Sequence, residues 1–497
     1  MTLRNIGKAR RALQGGKPAL VWQKIIADTQ TPVGIASKLI EPKRGDFLLE
    51  SVEGGKTRGR YSLIGLKPDL VFKAKGKEAW INKEWQDDSR AFRRCNTSSI
   101  NALRELEQAC RLDVPNELPP TLACLVGYFG FETVCLVEKV PETASSELNL
   151  PDILFVRPTV ILIFDGLTDT LYAVTPIWSA KDADLAIEKA QNTINGIFSK
   201  IAEPKERVDL SHHHLEDMDL RPVIDENQYK TMVTRAKEYI NAGDVFQVVL
   251  AQRFTCPFPL PPIELYRALR RINPSPFLYF LDFPEFSLVG SSPEILVRVR
   301  DEEVTIRPIA GTRPRGNNST QDIEHEKSLL EDPKENAEHL MLLDLGRNDV
   351  GRVATKGTVE VTESFKVERY SHVMHIVSNV QGKLDTKFDA VDAMLAGFPA
   401  GTVSGAPKIR ACEIIAEIEP ETRGPYAGGV GYFSPDGSLD SCIVLRTAIV
   451  KDNVMHVQAG AGIVADSNPE YELQECRAKA GALIAAAREA AAMLKQQ

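Results

Sequence analysis

Short runs of apolar and β-branched residues, separated by glycine, proline and polar residues, recur along both halves of the chain. Such runs predict strands joined by turns, whereas apolar residues that return every three or four positions predict amphipathic helices. The predicted strands are DFLLESV, TLACLVGYFGF, TVILIF, TLYAV, VFQVVLAQRF, FLYFLDF, FSLVGS, EILVRV, EVTIRP, CIVLRTAIV and NVMHVQAGAGIV. Because the strands come in clusters and the helices in blocks, we expect an α+β fold with large antiparallel sheets.

A polar, charge-rich segment at 201–222 interrupts this pattern. It has few apolar residues and is typical of a solvated connection. We therefore predict an N-terminal region at 1–200, a linker at 201–222 and a C-terminal region at 223–497.

Two predicted helices begin with a capping residue and a proline, and each then carries two glutamates. They are DPKENAEHLMLLDLG, which we expect to end at Gly346, and SNPEYELQECRAKAGALIAAAREAAAML. The glutamate pairs are Glu335 with Glu338 and Glu472 with Glu475. A spacing of three puts each pair on one helix face, although acidic residues also favour helix N-termini for the dipole alone. If the four carboxylates meet, a hard cation such as Mg²⁺ would offset their repulsion.

The composition places the chain among ordinary globular proteins, with 43% hydrophobic and 26% charged residues. A formal net charge of −8 disfavours non-specific nucleic-acid binding, and an anionic substrate would need local positive charge or a metal. No apolar run is long enough for a membrane span, and the N-terminus lacks the apolar core of a secretory signal. The eight cysteines form no CxxC pair, which is typical of a reduced, cytoplasmic protein.

Three further stretches carry candidate chemistry. The glycine-rich loop GFPAGTVSGAPKIRACEII places Thr402 just before a predicted helix, where backbone N–H groups could bind an anion. His375 lies in SHVMHIVSNVQG, and a lone histidine is more often structural or exposed than functional. Arg446 lies within the apolar run CIVLRTAIV, and because a buried arginine needs a partner, we expect a carboxylate beside it.

Together, PIAGTRPRG, AEHLMLLDLGRNDVGR, YSHVMHIVS, GTVSGAPK, GGVGYF and QAGAGIVADS resemble the chorismate-utilising enzymes, from about residue 225 to 490. The stretch DFLLES extends the resemblance towards the N-terminus and makes it strongest to the large subunits of anthranilate synthases. The resemblance implies a two-domain α/β fold with layered antiparallel sheets and Mg²⁺-dependent chemistry. In that chemistry ammonia is added at C2 of chorismate, the 4-hydroxyl is expelled, and pyruvate is then eliminated.

The resemblance also implies roles for single residues. Glu338 and Glu475 match direct Mg²⁺ ligands, with Glu335 and Glu472 as supports through water. The catalytic residues would be His375, which is implicated in pyruvate loss, Glu294, which would protonate the departing hydroxyl, and Thr402. The substrate would be bound by Gly311, Thr312, Tyr426, Arg446, Gly460, Ala461, Gly462 and Lys479.

Two positions separate the branches of this family. The related aminodeoxychorismate synthases read PIKGT and use the lysine as a nucleophile, whereas this chain has Ala310. Isochorismate and salicylate synthases activate water with a lysine where this chain has Gln247. Since neither alanine nor glutamine can act as a nucleophile or base, the resemblance favours direct attack by ammonia.

The chain shows no cysteine elbow of a glutaminase, so the resemblance implies a separate glutamine amidotransferase subunit as partner. Two alternatives stay open. One is an aminodeoxychorismate synthase, which Ala310 disfavours. The other is a non-catalytic chorismate- or tryptophan-binding regulator, which the full set of acid, base and metal-type residues disfavours.

The resemblance extends to a tryptophan site for feedback inhibition. Leu49, Glu50 and Ser51 of DFLLES, with Pro276, Phe277 and Leu278 of NPSPFLYF, match the inhibitor pocket. Ser51 could bond the polar end of tryptophan while Phe277 and Leu278 pack on the indole. The alternative is an ordinary strand end and an ordinary turn.

Overall fold

The computed structural model describes residues 6–53, 57–204, 218–370 and 373–495. The helices of these residues are α1 (Ile6–Gln14), α2 (Pro32–Leu39), α3 (Ser99–Ala109), α4 (Ala183–Ala202), α5 (Glu226–Asn241), α6 (Pro262–Ile272), α7 (Ser319–Glu331), α8 (Pro333–Gly351), α9 (Ala390–Ala396), α10 (Lys408–Ile418) and α11 (Pro469–Lys495). Short 3₁₀ turns lie at Phe131–Leu136 and Gly401–Val403.

The strands are β1 (Ala19–Ile26), β2 (Asp46–Glu50), β3 (Val52–Glu53), β4 (Thr57–Arg58), β5 (Tyr61–Leu66), β6 (Leu70–Lys75), β7 (Glu78–Asn82), β8 (Arg93–Arg94), β9 (Leu125–Phe129), β10 (Ile153–Arg157), β11 (Val160–Asp165), β12 (Thr170–Ile177), β13 (Arg221–Pro222), β14 (Gln247–Pro257), β15 (Phe277–Asp282), β16 (Ser287–Ser292), β17 (Ile295–Arg300), β18 (Glu303–Ile306), β19 (Ile309–Pro314), β20 (Glu360–Arg369), β21 (Val373–Lys383), β22 (Gly405–Ala406), β23 (Gly429–Phe433), β24 (Leu439–Ile443), β25 (Thr447–Lys451) and β26 (Val454–Ile463).

Two large antiparallel sheets organise the described residues. The first has the order β1-β12-β11-β5-β2-β15-β16-β25-β26-β14-β13, with β22 paired to β14. The second has the order β19-β21-β18-β17-β24-β23-β9-β10-β6-β7-β8, with β20 paired to β21. Helices α5, α6 and α11 pack on the first sheet, and α8 packs on β19 and β21 of the second. The predicted α+β class is confirmed.

The N-terminal and C-terminal regions share both sheets. Strand β2 pairs with β15, with Glu50 opposite Leu278, and β9 pairs with β23, with Gly127 opposite Gly431. The two regions therefore complete each other's backbone hydrogen bonds, and the segment at 201–222 does not separate the sheets. Residues 205–217 of that predicted linker lie outside the described residues. The division into an N-terminal and a C-terminal region stays a prediction.

Two local expectations are wrong. The run CIVLRTAIV is not one strand, because β24 ends at Ile443 and β25 begins at Thr447, and Arg446 between them has a φ of 48°. Helix α8 does not stop at Gly346 but continues to Gly351, since Gly346 packs closely under Pro308, where an added Cβ would lie 3.2 Å from Pro308 Cγ. Glycine is used at this position for close packing rather than as a helix stop.

Candidate active site

A polar cavity of about 530 Å³ lies where the N-termini of α8 and α11 approach strands β14, β19 and β26. Most of the predicted site residues line it. They are Glu294, Gly311, Thr312, Glu338, His375, Thr402, Tyr426, Arg446, Gly460, Gly462, Glu472 and Lys479, together with Gln247 and Ala310. Residues that are far apart in the sequence are thus brought into one space.

Both helices begin as the sequence predicts. Asp332 accepts hydrogen bonds from the backbone N–H groups of Lys334 and Glu335, and Pro333 occupies the first turn of α8. Asn468 does the same for Glu470 and Tyr471 at the start of α11. These caps fix the first turns of both helices, which are the turns that carry the glutamate pairs.

The four glutamates differ in whether a cationic side chain pairs with them. Glu335 accepts a hydrogen bond from Arg313 at 2.9 Å, and Glu475 pairs with Lys479 at 2.6 Å. Glu338 and Glu472 line the cavity, and the pKa of each is raised by burial first and by neighbouring carboxylates as well. Glu338 is affected by Glu335 and Glu475, and Glu472 by Glu475. A concentration of carboxylate charge therefore surrounds this end of the cavity.

In the described part of the chain, no three acidic, histidine or cysteine side chains stand together in an arrangement that could hold a metal. The chemistry of the donors nevertheless fits a hard divalent cation, because all four groups are carboxylates and their charges oppose one another. The assignment of Glu338 and Glu475 as ligands, with Glu335 and Glu472 in support, stays a prediction.

A buried acid, Glu294, also lines the cavity. Glu294 follows β16, is 7% exposed and accepts a hydrogen bond from Thr402 Oγ1 at 3.0 Å. Burial raises the pKa of Glu294 to about 8, and the hydrogen bond from Thr402 offsets the lost hydration only in part. Glu294 is therefore mostly protonated at neutral pH and can donate a proton.

His375 on β21 is arranged as a base. Its Nδ1 lies 2.8 Å from the carbonyl oxygen of Gly311 and 3.1 Å from Thr312 Oγ1. Since a carbonyl only accepts, Nδ1 carries the proton and Nε2 is left with its lone pair. Burial lowers the pKa of His375 below its usual value, so the ring is neutral near pH 7. Tyr370 packs on the ring edge to face at 5.5 Å.

Arg446 and Tyr426 supply hydrogen-bond donors without acceptors. The break between β24 and β25 turns Arg446 into the cavity. The carboxylate partner expected from the sequence is not in contact, because burial lowers the pKa of Arg446 while Glu475 and Tyr426 act on it only as nearby charges. Among the described residues neither the guanidinium nor the Tyr426 hydroxyl has a side-chain partner. A carboxylate-bearing ligand would satisfy both.

The glycines of β26 make room for this arrangement. A Cβ at Gly460 would lie 2.8 Å from the Tyr426 hydroxyl, and one at Gly462 would lie 2.5 Å from Gln247 Nε2. Lys479 donates to the Gly460 carbonyl at 2.9 Å. Ala461 faces the other side of the strand, where its side chain is fully buried in the core, so it can offer a ligand only its backbone.

Sequence reasoning treated Gln247 only as the absence of a lysine, yet its side chain takes part in the site. Gln247 Nε2 donates to Glu338 Oε1 at 3.3 Å, which is a long hydrogen bond. Lys334, Asp466 and Tyr471 also line the cavity and were not predicted. Lys334 was recognisable only by its place beside Pro333 in the first turn of α8.

A second cavity, of about 330 Å³, lies where β2 meets β15. It is lined by Leu49, Glu50, Ser51, Pro276, Phe277 and Leu278 of the predicted inhibitor pocket, and also by Arg60, Tyr61, Arg298, Arg300, Tyr432 and Asp440. Its acids are paired. Glu50 accepts from Tyr266 at 2.6 Å and from Arg270 at 2.9 Å, and Asp440 faces Arg298 and Arg300.

In the described residues, no helix is both long enough and apolar enough to cross a membrane.

Comparisons with known proteins identify the family of the chain. The chorismate binding enzyme family matches residues 45–485. Anthranilate synthase component 1 of Cereibacter sphaeroides is 49% identical over 484 residues, covering 97% of this chain and 96% of that protein. The protein of the same name from Pseudomonas putida is 44% identical and covers 93% of both chains.

Two solved structures resemble this chain over nearly its full length. The crystal structure of anthranilate synthase component I from Streptococcus pneumoniae matches with a TM-score of 0.77 and 33% identity, over 93% of this chain and 99% of that one. The menaquinone-specific isochorismate synthase of Escherichia coli shares the fold, with a TM-score of 0.70 at 20% identity, over 97% of this chain and 99% of that one. The chain is an enzyme that belongs to the family of chorismate binding enzymes, and within that family it groups with anthranilate synthase component 1.

Proposed function

We propose that the protein converts chorismate and ammonia to anthranilate and pyruvate in a Mg²⁺-dependent reaction, as the first step of tryptophan synthesis in the cytoplasm. The observation that carries the proposal is the combination of a protonated acid and a neutral base in a cavity that has no amine at 310 or 247. Glu294 and His375 supply the proton transfers, while Ala310 and Gln247 leave the nucleophile to come from outside.

Two carboxylates of chorismate meet two sets of donors. Arg446 and Tyr426 suit the enolpyruvyl carboxylate, because both are donors without an acceptor of their own. Lys479 and the backbone around Gly460 and Gly462 suit the ring carboxylate, with Gly311 and Thr312 beside it. Binding at both ends fixes the ring between Glu294 and His375, which lowers the entropy cost of reaction.

The first step forms a C2–N bond and breaks the C4–O bond. Glu294 gives its proton to the departing hydroxyl, which leaves as water, and the ammonium formed at C2 releases one proton to solvent. Thr402 holds the carboxyl group of Glu294 in place. The second step breaks the bond to the enolpyruvyl oxygen. His375 Nε2 takes the proton from C2, the ring becomes aromatic, and the enolate that leaves becomes pyruvate when its methylene carbon takes up a proton.

Mg²⁺ would be held by Glu338 and Glu475, with Glu335 and Glu472 in support. When bound, it supplies positive charge for the substrate carboxylate at the acidic end of the cavity. The raised pKa values of Glu338 and Glu472 support this assignment, since burial raises both and neighbouring carboxylates raise them further.

Ammonia would come from a glutamine amidotransferase subunit, because the relatives are named as component 1 of anthranilate synthase. Tryptophan would bind in the second cavity as a feedback inhibitor. That cavity joins both regions of the chain through the pairing of Glu50 with Leu278. Phe277 pairs with Ser292, two residues before Glu294, so a ligand at Phe277 can act on the acid through one strand pair.

One assay tests the activity: the purified chain, chorismate, Mg²⁺ and an ammonium salt, with the product identified by mass. We expect anthranilate and pyruvate in equal amounts. A 4-amino product would instead show an aminodeoxychorismate synthase, and no turnover with retained chorismate or tryptophan binding would show a regulator.

A further inference from the structure

Behind Glu294 and Thr402 lies a small cavity that the proposed chemistry does not use. It is bounded at one end by Glu294 and Thr402 and along its length by Leu342, Gly346 and Asp349 of α8. Those three residues recur at helical spacing, so one face of the helix forms the wall. The cavity offers about 30 Å³ to the centres of water molecules, where one water needs about 10–15 Å³ on the same measure.

The walls of the small cavity are polar enough to hold water. Asp349 is 4% exposed, and its Oδ1 has no hydrogen-bond partner among the described residues, while its Oδ2 accepts from Lys408 at 2.7 Å. Arg307, which also borders the cavity, has a buried Nε without a partner in the same part of the chain. Buried polar atoms of this kind are usually satisfied by ordered water.

We infer that the small cavity holds water that links Asp349 to Glu294, and that this link returns a proton to Glu294 after each turnover. The inference rests on the proposed acid role of Glu294. Asp349 does not reach the polar cavity and acts only through Glu294. The inference also gives a role to Asp349 and Lys408, which form a buried ion pair and lie in the motifs DLGRNDVGR and GTVSGAPK.

Glu294 must regain its proton before the next turnover. Glu294 loses its proton to the hydroxyl that leaves C4, whereas the ammonium that forms at C2 releases one proton to solvent. The carboxylate of Asp349 takes up a proton from solvent and passes it to the water, and the water passes one to the carboxylate of Glu294, which leaves Asp349 again as the carboxylate that pairs with Lys408. One O–H bond forms at Glu294 as one breaks at the water. Because the path lies behind Glu294, it stays open while the product still fills the polar cavity.

Single and multiple turnovers distinguish a proton path from a structural role. With the full chain in excess over chorismate, the first turnover uses the proton already on Glu294. We expect Asp349→Asn to change that rate by less than about 2-fold but to lower steady-state kcat by about 10-fold, with KM unchanged and a larger solvent deuterium isotope effect. The exposed Asp344→Asn on the same helix is the matched control.

Because Asp349→Asn leaves Lys408 buried without its acid, the double variant Asp349→Asn with Lys408→Met removes both charges and should behave alike. An equal fall of the single-turnover and steady-state rates in the double variant would show a structural role and overturn the inference.

Infrared spectroscopy tests the path without turnover. The protonated Glu294 has a carboxylic acid C=O band that Glu294→Gln removes, and its shift after rapid mixing with D₂O reports proton exchange. We expect exchange at Glu294 to be about 10-fold slower in the double variant than in the wild type. Equal exchange rates would overturn the inference. If the wild type makes no anthranilate, the proposed function fails, while the exchange rates still decide whether Asp349 supplies Glu294.

Discussion

The two larger cavities differ in how their charges are paired. In the polar cavity, the described residues place a neutral threonine beside Glu294 and no acid in contact with Arg446. In the second cavity, Glu50 is held by Arg270 and Tyr266, and Asp440 faces two arginines. Both cavities hold buried ionisable groups, but among the described residues Glu294 and Arg446 of the polar cavity have no oppositely charged side chain in contact.

This difference has a physical meaning. Burying an ionisable group without a partner costs free energy. Such groups are concentrated at functional sites, where a substrate or a proton transfer supplies the missing interaction. A buried charge with a partner instead fixes the shape of a cavity. We therefore expect chemistry in the polar cavity and binding alone in the second cavity.

The largest expected effect comes from removing a carboxylate at the acidic end of the polar cavity. Glu338→Gln keeps the shape of the side chain but removes a charge that Mg²⁺ needs. We expect turnover to fall by at least about 10⁴-fold, which corresponds to about 5 kcal/mol of transition-state stabilisation. Steady-state assays over a range of Mg²⁺ concentrations measure this loss.

The matched control is Glu470→Gln, which changes an exposed glutamate of α11 that pairs with Lys230. Its turnover should stay within about 2-fold of the wild type, since exposed ion pairs contribute little. Near-normal rates of Glu338→Gln at low Mg²⁺ would contradict the metal assignment.

The next largest effect is expected from changing the acid, Glu294. Glu294→Gln keeps the neutral state that Glu294 has near pH 7, so the fold should be retained, but an amide cannot give up a proton. We expect kcat to fall by about 10²–10³-fold. The wild-type rate should also fall as pH rises through about 8, because Glu294 then loses its proton, and this alkaline limb should be absent in the variant.

At low pH the opposite limb belongs to His375. Burial lowers the pKa of His375 below its usual value, so His375 stays a base until the pH falls below neutral.

If the alkaline limb of the pH profile is the same in Glu294→Gln and in the wild type, that limb belongs to a group other than Glu294.

The base should affect one step rather than both. His375→Ala removes the acceptor for the C2 proton but leaves Glu294 and the amination step intact. We expect elimination of pyruvate to slow by about 10–100-fold, so that 2-amino-2-deoxyisochorismate accumulates and is detected by mass. Tyr370→Phe keeps the ring that packs on His375 and serves as the control. If both steps slow equally, His375 has a structural role.

The sequence allowed the fold class to be predicted because strand runs and helix caps are local signals. Asp332 and Asn468 cap as their residue types suggest. The sequence did not show that Arg446 lies between two strands. The run CIVLRTAIV is apolar enough to predict one continuous strand, whereas the positive φ of Arg446 interrupts it. The sequence also did not show that Lys479 pairs with Glu475 or that Asp349 pairs with Lys408. Such partners depend on the tertiary packing of the helices.

The smallest expected effect on turnover tests the second cavity. Ser51 lies at the end of β2, and its carbonyl accepts from Gly59, so the cavity wall is tight there. A Cβ at Gly59 would already lie 2.5 Å from Ser51 Cβ. A larger side chain at 51 must therefore project into the cavity and occupy the space of an indole. The acids of this cavity are already paired with side chains of the protein. A side chain that fills the cavity should therefore leave Glu294 and His375 unchanged.

We therefore expect Ser51→Phe to abolish inhibition by tryptophan while kcat without tryptophan stays within about 2-fold of the wild type. Ser51→Ala, which removes only the hydroxyl, should weaken tryptophan binding by about 1 kcal/mol, or about 5-fold. Inhibition curves and calorimetry measure both variants. The comparison of the two cavities fails if Ser51→Phe lowers kcat as strongly as the active-site variants do. The inhibitor site itself is contradicted if the wild type binds no tryptophan at millimolar concentration.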